Sequence, residues 1–300
     1  MNRLRGIFAP VVTPFHSDLS PDPERFAAHC RWLLSQQCGL AIFGSNSEGN
    51  SLGVEERITL LEELLDRGID PGRMMPGTGT CALTDTVRLT RRAVSLGCGG
   101  VLMLPPFYYK TVSDDGLFAY FSEVVQRVGD DRLRIYLYHI PPVAMVGITP
   151  ALVERLLAAY PTQIAGMKDS SGNWDNTRTV LDAFGAQGFD VFCGSETFLL
   201  ATLRQGGAGC ISATANINPA AMVRLVETWQ QPDADDQQAA LDQLRQLMAA
   251  QPNMIAALKA VIARTKGDPG WARVRPPLTA MLASDVEGMG RALDALGVLV

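Results

Sequence analysis

Short apolar runs alternate with segments of helical period along most of this chain, and that alternation limits the fold more than any single motif does. The runs lie at 7–15, 40–44, 73–79, 99–106, 134–142, 164–171, 189–194 and 208–216. Helices are expected after them: from about Asp22, over 54–66, from a cap at Thr84-Asp85, and over 113–128, 150–160, 174–184, 196–205 and 219–230. Strands separated by helices need crossover connections and therefore pair in parallel. Eight such units in succession close most simply into an α/β fold, the (β/α)8 TIM barrel. An open doubly wound sheet is the alternative, but the first strand-to-helix turn, TPFHSDLS, has no glycine to cradle a nucleotide. The barrel is expected over 1–231. From Asp233 the pattern is only helical, so 232–300 is expected to be a C-terminal helical extension packed on the barrel or on a partner subunit.

Composition agrees and excludes other classes. A 300-residue chain that is 47% hydrophobic can bury one large core. Its net charge of −5, without a basic cluster, gives no reason to expect a nucleic-acid or anionic-membrane partner. The apolar N-terminal segment is broken by Pro10 and Pro14, so it reads as neither signal peptide nor membrane span, and a cytoplasmic location is expected. Cys30, Cys38, Cys81, Cys98, Cys193 and Cys210 show no C-x-x-C spacing and read as reduced, mostly core residues. His16, His29 and His139 form no i, i+4 pair, so no metal site is expected.

Barrel enzymes build their sites at the C-terminal ends of the strands. Here those ends carry Thr13, Ser45-Asn46-Ser47-Glu48, Thr78 and Thr80, Tyr108-Tyr109, Tyr138, Lys168, Gly194-Ser195-Glu196, and Ser212 with Thr214. Lys168 stands out: an apolar run, IAGM, delivers it into a polar turn, DSSGN. Burial disfavours the charged form of an amine, and a neutral amine attacks a ketone to form a Schiff base. An adjacent carboxylate would oppose that neutralisation, so Asp169 is expected to point away and cap the next turn. Glu48 reads as a structural hydrogen-bond acceptor for its loop, and Met248, Met254 and Leu258 read as packing.

GSNSEG at 44–49, PPFYY at 105–109, YHIPP at 138–142, GMKDSSGN at 166–173 and GGAGCISATANI at 206–217 occur in order over nearly the whole chain. Together they resemble the dihydrodipicolinate synthase and N-acetylneuraminate lyase family, the class I aldolases and lyases built on (β/α)8 barrels. The resemblance implies Lys168 as the Schiff-base lysine, Tyr138 as the proton-shuttling tyrosine, and Ser45 and Asn46 as the loop that holds the carboxylate of a 2-oxo acid. It also implies that Tyr109, with Tyr108 the alternative, reaches into a neighbouring subunit's site. The expected catalytic set is Lys168, Tyr138, Ser45 and Tyr109; the expected substrate-binding set is Ser45, Asn46, Ser170, Gly194, Ser195 and Ile211. No cofactor is expected beyond the covalent imine, and the expected partners are pyruvate and further copies of the chain in a dimer of dimers.

In the lysine-biosynthetic synthase the segment after the shuttle tyrosine carries an arginine that binds a substrate carboxylate. Here Val143-Ala144-Met145-Val146 stands in a longer interval, and Ser47 replaces a glycine before Glu48. The chain therefore looks closer to the 4-hydroxy-2-oxoglutarate and 2-keto-3-deoxy sugar-acid aldolase branches. The expected activity is cleavage or formation of a carbon–carbon bond in a hydroxylated 2-oxo acid. The alternatives are the synthase itself, condensing pyruvate with aspartate semialdehyde, and a non-catalytic barrel that binds 2-oxo acids. The four apolar residues are expected to favour a neutral substrate tail over a second carboxylate, with Lys110 and Arg178 the cations able to reverse that preference.

Overall fold

The computed structural model describes residues 3–297; the first two residues of the expected barrel span and the last three of the extension lie outside the described residues. In chain order the elements are β1 (Gly6–Ala9), α1 (Pro23–Ser35), β2 (Gly39–Leu40), α2 (Val54–Asp66), α3 (Leu83–Ser95), β3 (Val101–Met103), α4 (Asp114–Val128), β4 (Ile135–His139) and α5 (Pro141–Ala144). They continue with α6 (Pro150–Ala159), β5 (Ile164–Asp169), α7 (Trp174–Phe184), β6 (Asp190–Cys193), α8 (Leu199–Arg204), β7 (Gly209–Ile211), α9 (Pro219–Thr228), α10 (Ala234–Ala249), α11 (Met254–Lys266) and α12 (Ala283–Ala295). The fold is α/β. Its strands pair in parallel, β1 with β2 and, in chain order, β3 through β7.

Two compact units can be distinguished. The first joins the chain up to Gly6 with Asp70–Cys210. It contains the parallel run β3-β4-β5-β6-β7, and Gly6 N donates to Ala208 O at 2.8 Å beside β7. The strands are buried along their length, as expected where helices cover a parallel sheet. Tyr136 and Phe192 meet edge to face inside it, 5.7 Å between ring centroids. The second unit joins Ile7–Ile69 with the chain from Ile211 onward. There α10, α11 and α12 bury Leu244, Met248, Leu258, Val261, Met289 and Leu293 in one cluster with Val12, Ala213 and Ile217. Met248 and Leu258 are thus packing residues as expected, with Met254 packed against the cluster.

The sequence-based boundaries need several corrections. The expected strand at 73–79 forms no ladder: Gly77 makes a single bridge to Leu102, with Leu102 N donating to Pro76 O at 2.9 Å and Thr78 N to Leu102 O at 3.0 Å. Pro76 has no N–H to give, and proline interrupts ladders for that reason. Pro10 likewise follows the last residue of β1, four residues long where nine were expected. The cap of α3 is Ala82 rather than Thr84-Asp85, which lie in its first turn. α1 begins near Asp22 as expected, and Asp22 accepts from Arg25 N; Ser113 and Thr149 cap α4 and α6 in the same way, accepting from Gly116 N and Leu152 N.

Candidate active site

Lys168 ends up opposite Tyr138 because β4 and β5 change register. Ile135 pairs with Ile164, but Tyr136 pairs with Gly166, so Ala165 is skipped. Without that bulge Tyr138 would face Met167; with it, Tyr138 pairs with Lys168 and His139 with Asp169. Shifting a strand by one residue exchanges its two faces, and bulges re-aim side chains in this way. Gly166 is required at the shift, since a Cβ there would lie 2.1 Å from Asp190 O on β6.

Both side chains are nearly inaccessible, Lys168 at 3% and Tyr138 at 2%. Lys168 Nζ donates to Tyr138 Oη at 3.3 Å and lies 4.3 Å from the centre of the tyrosine ring. Asp169 points away as expected: it accepts from Ser171 N at 2.8 Å, Asn176 Nδ2 at 3.0 Å and Thr177 Oγ1 at 2.6 Å, which fastens β5 to the first turns of α7. The lysine therefore keeps a phenol, not its neighbouring carboxylate, as its polar contact. Ser170 and Gly194 directly follow β5 and β6. Gly194 N donates to Asp169 O at 2.7 Å, Ser170 N donates to His139 O at 2.7 Å, and a Cβ at 194 would lie 2.0 Å from Ser170 Oγ. Ser195 caps the turn Glu196–Phe198 through Thr197 N.

The loop after Tyr138 is tethered at two points. Ile148 N donates to His139 Nδ1 at 3.0 Å, so that ring nitrogen is an acceptor, and burial holds this imidazole below its usual pKa range against the charge of Asp169. Lys110 Nζ donates to Ala144 O at 3.1 Å and also to Phe107 O. The apolar loop residues divide: Ala144 and Val146 are buried, whereas Val143 and Met145 are 67% and 66% exposed. Only half of the expected apolar wall is therefore withdrawn from water. Of the two candidate cations, Arg178 pairs with Asp175 at 3.0 Å. Tyr108 and Tyr109 are not drawn toward Lys168; each is 73% exposed, and their rings meet edge to face at 5.3 Å.

Ser45 and Asn46 lie in the second unit, half-buried in a tight turn. Ser47 N and Gly49 N both donate to Gly44 O, and Glu48 N donates to Ser45 O. Thr13 Oγ1 donates to Ser47 O at 2.6 Å. Glu48 occupies the left-handed region, φ 54°, and a Cβ on Gly49 would lie 2.0 Å from Phe43 O. Ile211, also of this unit, ends β7 and is buried.

Sequence reasoning missed what holds this turn. Glu48, expected to serve its own loop, instead accepts from Lys259 Nζ and, at 2.9 Å, from Arg275 N. The signal was present, since Lys259 is the only charge in the run MIAALKAVIA. A lone ionic residue at the centre of an apolar helix is rarely buried unpaired.

The sequence profile of the dihydrodipicolinate synthetase family matches residues 3–296. An uncharacterized DapA-like lyase of Chloroflexus aurantiacus is 34% identical over 97% of both chains. The crystal structure of dihydrodipicolinate synthase from Agrobacterium tumefaciens superposes with a TM-score of 0.88 at 35% identity, covering 97% of this chain and 99% of that one. YagE of Escherichia coli K12, described as a putative 2-dehydro-3-deoxy-D-gluconate aldolase, is 33% identical over 76% of this chain and 75% of its own. Its structure in complex with pyruvate has a TM-score of 0.88 at 29% identity, covering 98% and 99% of the two chains. With its parallel sheet, its strand-borne Lys168 and Tyr138, and a profile match from Arg3 almost to the end of the described residues, the chain belongs to the dihydrodipicolinate synthetase family.

Proposed function

We propose that this protein is a class I, Schiff-base aldolase or lyase acting on a hydroxylated 2-oxo acid, with pyruvate as the imine-bound half. The observation that carries the reading is the buried contact of Lys168 Nζ with Tyr138 Oη at 3.3 Å. Attack of the neutral amine on the 2-oxo carbon, followed by loss of water, gives an iminium, which is an electron sink for cleavage of the bond two carbons away. Tyr138 gives its phenol proton to the departing water and, as the phenolate so formed, takes the proton of the substrate hydroxyl as that bond breaks, releasing an aldehyde. The remaining enamine is protonated, and water frees pyruvate from the lysine. A phenol of pKa about 10 does this only with hydrogen-bonded support. Ser45 and Asn46 hold the substrate carboxylate in the role that the family motif implies, and no cofactor is needed beyond the lysine's own imine.

The pyruvate complex of YagE and its sugar-acid aldolase description support the aldolase branch. The same reading includes a cytoplasmic homo-oligomer in which the exposed Tyr108–Tyr109 pair meets another copy, as the resemblance implies. A coupled assay for pyruvate release from a panel of hydroxylated 2-oxo acids tests the activity. Turnover of at least one, abolished in Lys168→Ala, is expected; consumption of aspartate semialdehyde with pyruvate and no cleavage of any panel member would favour the synthase instead.

A further inference from the structure

The buried pair Glu48–Lys259 joins the turn that carries Ser45 and Asn46 to the C-terminal helices. Lys259 is wholly buried on α11 and donates both to Glu48 Oε2 and, at 2.7 Å, to Arg273 O. The other carboxylate oxygen of Glu48 accepts from Arg275 N at 2.9 Å. The Arg275 guanidinium then reaches Ser51 O at 2.7 Å, Glu56 at 2.5 and 2.9 Å, and Leu19 O at 2.7 Å. Both cations lie over the face of Phe15, at 4.4 Å for Lys259 and 4.8 Å for Arg275.

This arrangement is a poor device for stability. Desolvating two charges offsets most of their attraction, and hydrophobic replacements for such pairs are commonly neutral or stabilising. It is well made for fixing a backbone. Glu48 sits at φ 54°, a conformation that a non-glycine residue keeps only when its surroundings impose it. Two donors from the tail hold both of its carboxylate oxygens, while Thr13 holds the carbonyl of the residue before it.

We propose that Lys259 and Arg275, acting through Glu48, are positioning residues that set the Ser45-Asn46 turn in the conformation that receives the carboxylate of the 2-oxo acid. The helical extension then has a part in substrate affinity as well as in packing. This rests on the reading given under Proposed function.

The test is the doubly neutral variant Glu48→Met/Lys259→Met in the full chain, compared with wild type by borohydride trapping of pyruvate and by steady-state kinetics. Removing both charges avoids leaving one buried and unpaired, so the variant is expected to melt cooperatively near the wild-type temperature. Its half-saturating pyruvate concentration should rise by about tenfold or more, while trapping at saturation stays complete and kcat moves by less than about threefold, the pattern of lost binding without lost chemistry. An unchanged half-saturating concentration in the folded variant overturns the proposal. Should the double variant not fold, Glu48→Gln keeps an acceptor for Lys259 but turns an amide N–H toward Arg275 N, so one of the two holds on this side chain is lost. It should weaken pyruvate by roughly threefold or more, and an unchanged value overturns the proposal equally. Failure of the wild type to trap pyruvate at all would instead remove the underlying reading.

Discussion

The Nζ of Lys168 lies 3.3 Å from the Oη of Tyr138, and the two residues are register partners on β5 and β4 only because the pairing skips Ala165. One residue of slip would turn the lysine out of the face that the tyrosine occupies. The contact between them is thus made by the sheet rather than by a loop, with Asp169 directed to the opposite face to hold α7.

Removing only the phenol oxygen separates the two roles. In Tyr138→Phe the imine should still form, but turnover should fall by about 10²–10⁴-fold, the range for a lost positioned acid–base. Parallel loss of trapping and turnover would show that Tyr138 builds the site and does not shuttle the proton.

The bulge gives a second expectation. In Gly166→Ala the new methyl meets Asp190 O, so the strands must move apart at a cost of about 1–3 kcal/mol. A displacement of Lys168 near 1 Å would slow its reaction by about 10²-fold. Unfolding curves and the rate of borohydride trapping measure the two effects; wild-type trapping in a destabilised variant would show that the register does not govern the lysine.

Acid stability has an identifiable contributor in the second unit. His29 is buried against Trp32 and Trp271. Burial, with the Lys266 charge nearby, pushes its pKa from 6.5 down to about 3. Between those values the unfolded chain binds a proton that the folded chain does not, so this contribution is complete above pH 6.5 and is lost as the pH falls. Denaturant unfolding at pH 7 and pH 5 should show about 2 kcal/mol of acid destabilisation from this group, absent in His29→Phe. An equal pH dependence in the variant would place the effect elsewhere.

Substrate charge is the next expectation. The loop 140–147 has no arginine, and the Lys110 ammonium is engaged by Phe107 O and Ala144 O. A second carboxylate buried without a partner costs several kcal/mol. A monocarboxylic 2-oxo acid with a neutral hydroxylated tail should therefore show a higher kcat/KM than 4-hydroxy-2-oxoglutarate. A tenfold preference for the dicarboxylate, abolished in Lys110→Met, would show that this lysine changes partners to bind it.

Much of this was legible in the sequence. The run IAGMKDSSGN announced a strand-end lysine because apolar patterning and turn residues are local signals, and the bounds of α2 and α7 were read correctly for the same reason. The register that pairs Tyr138 with Lys168 was not legible, because a bulge depends on the packing of Gly166 against the neighbouring strand. The segment 73–79 reads as a strand by composition, yet its hydrogen bonds are curtailed at Pro76. The joint between Glu48 and Lys259 spans 211 residues, and only the oddity of a lysine within an apolar helix pointed to it.

The central claim is that Lys168 is the amine that forms an imine with a 2-oxo acid. Incubating the protein with pyruvate and borohydride and weighing it intact, then mapping the modified peptide, tests this most directly. The expected result is one reduced pyruvyl adduct per chain, on Lys168 and missing from Lys168→Ala. A wild type without an adduct, or an adduct that persists undiminished in Lys168→Ala, would contradict the account.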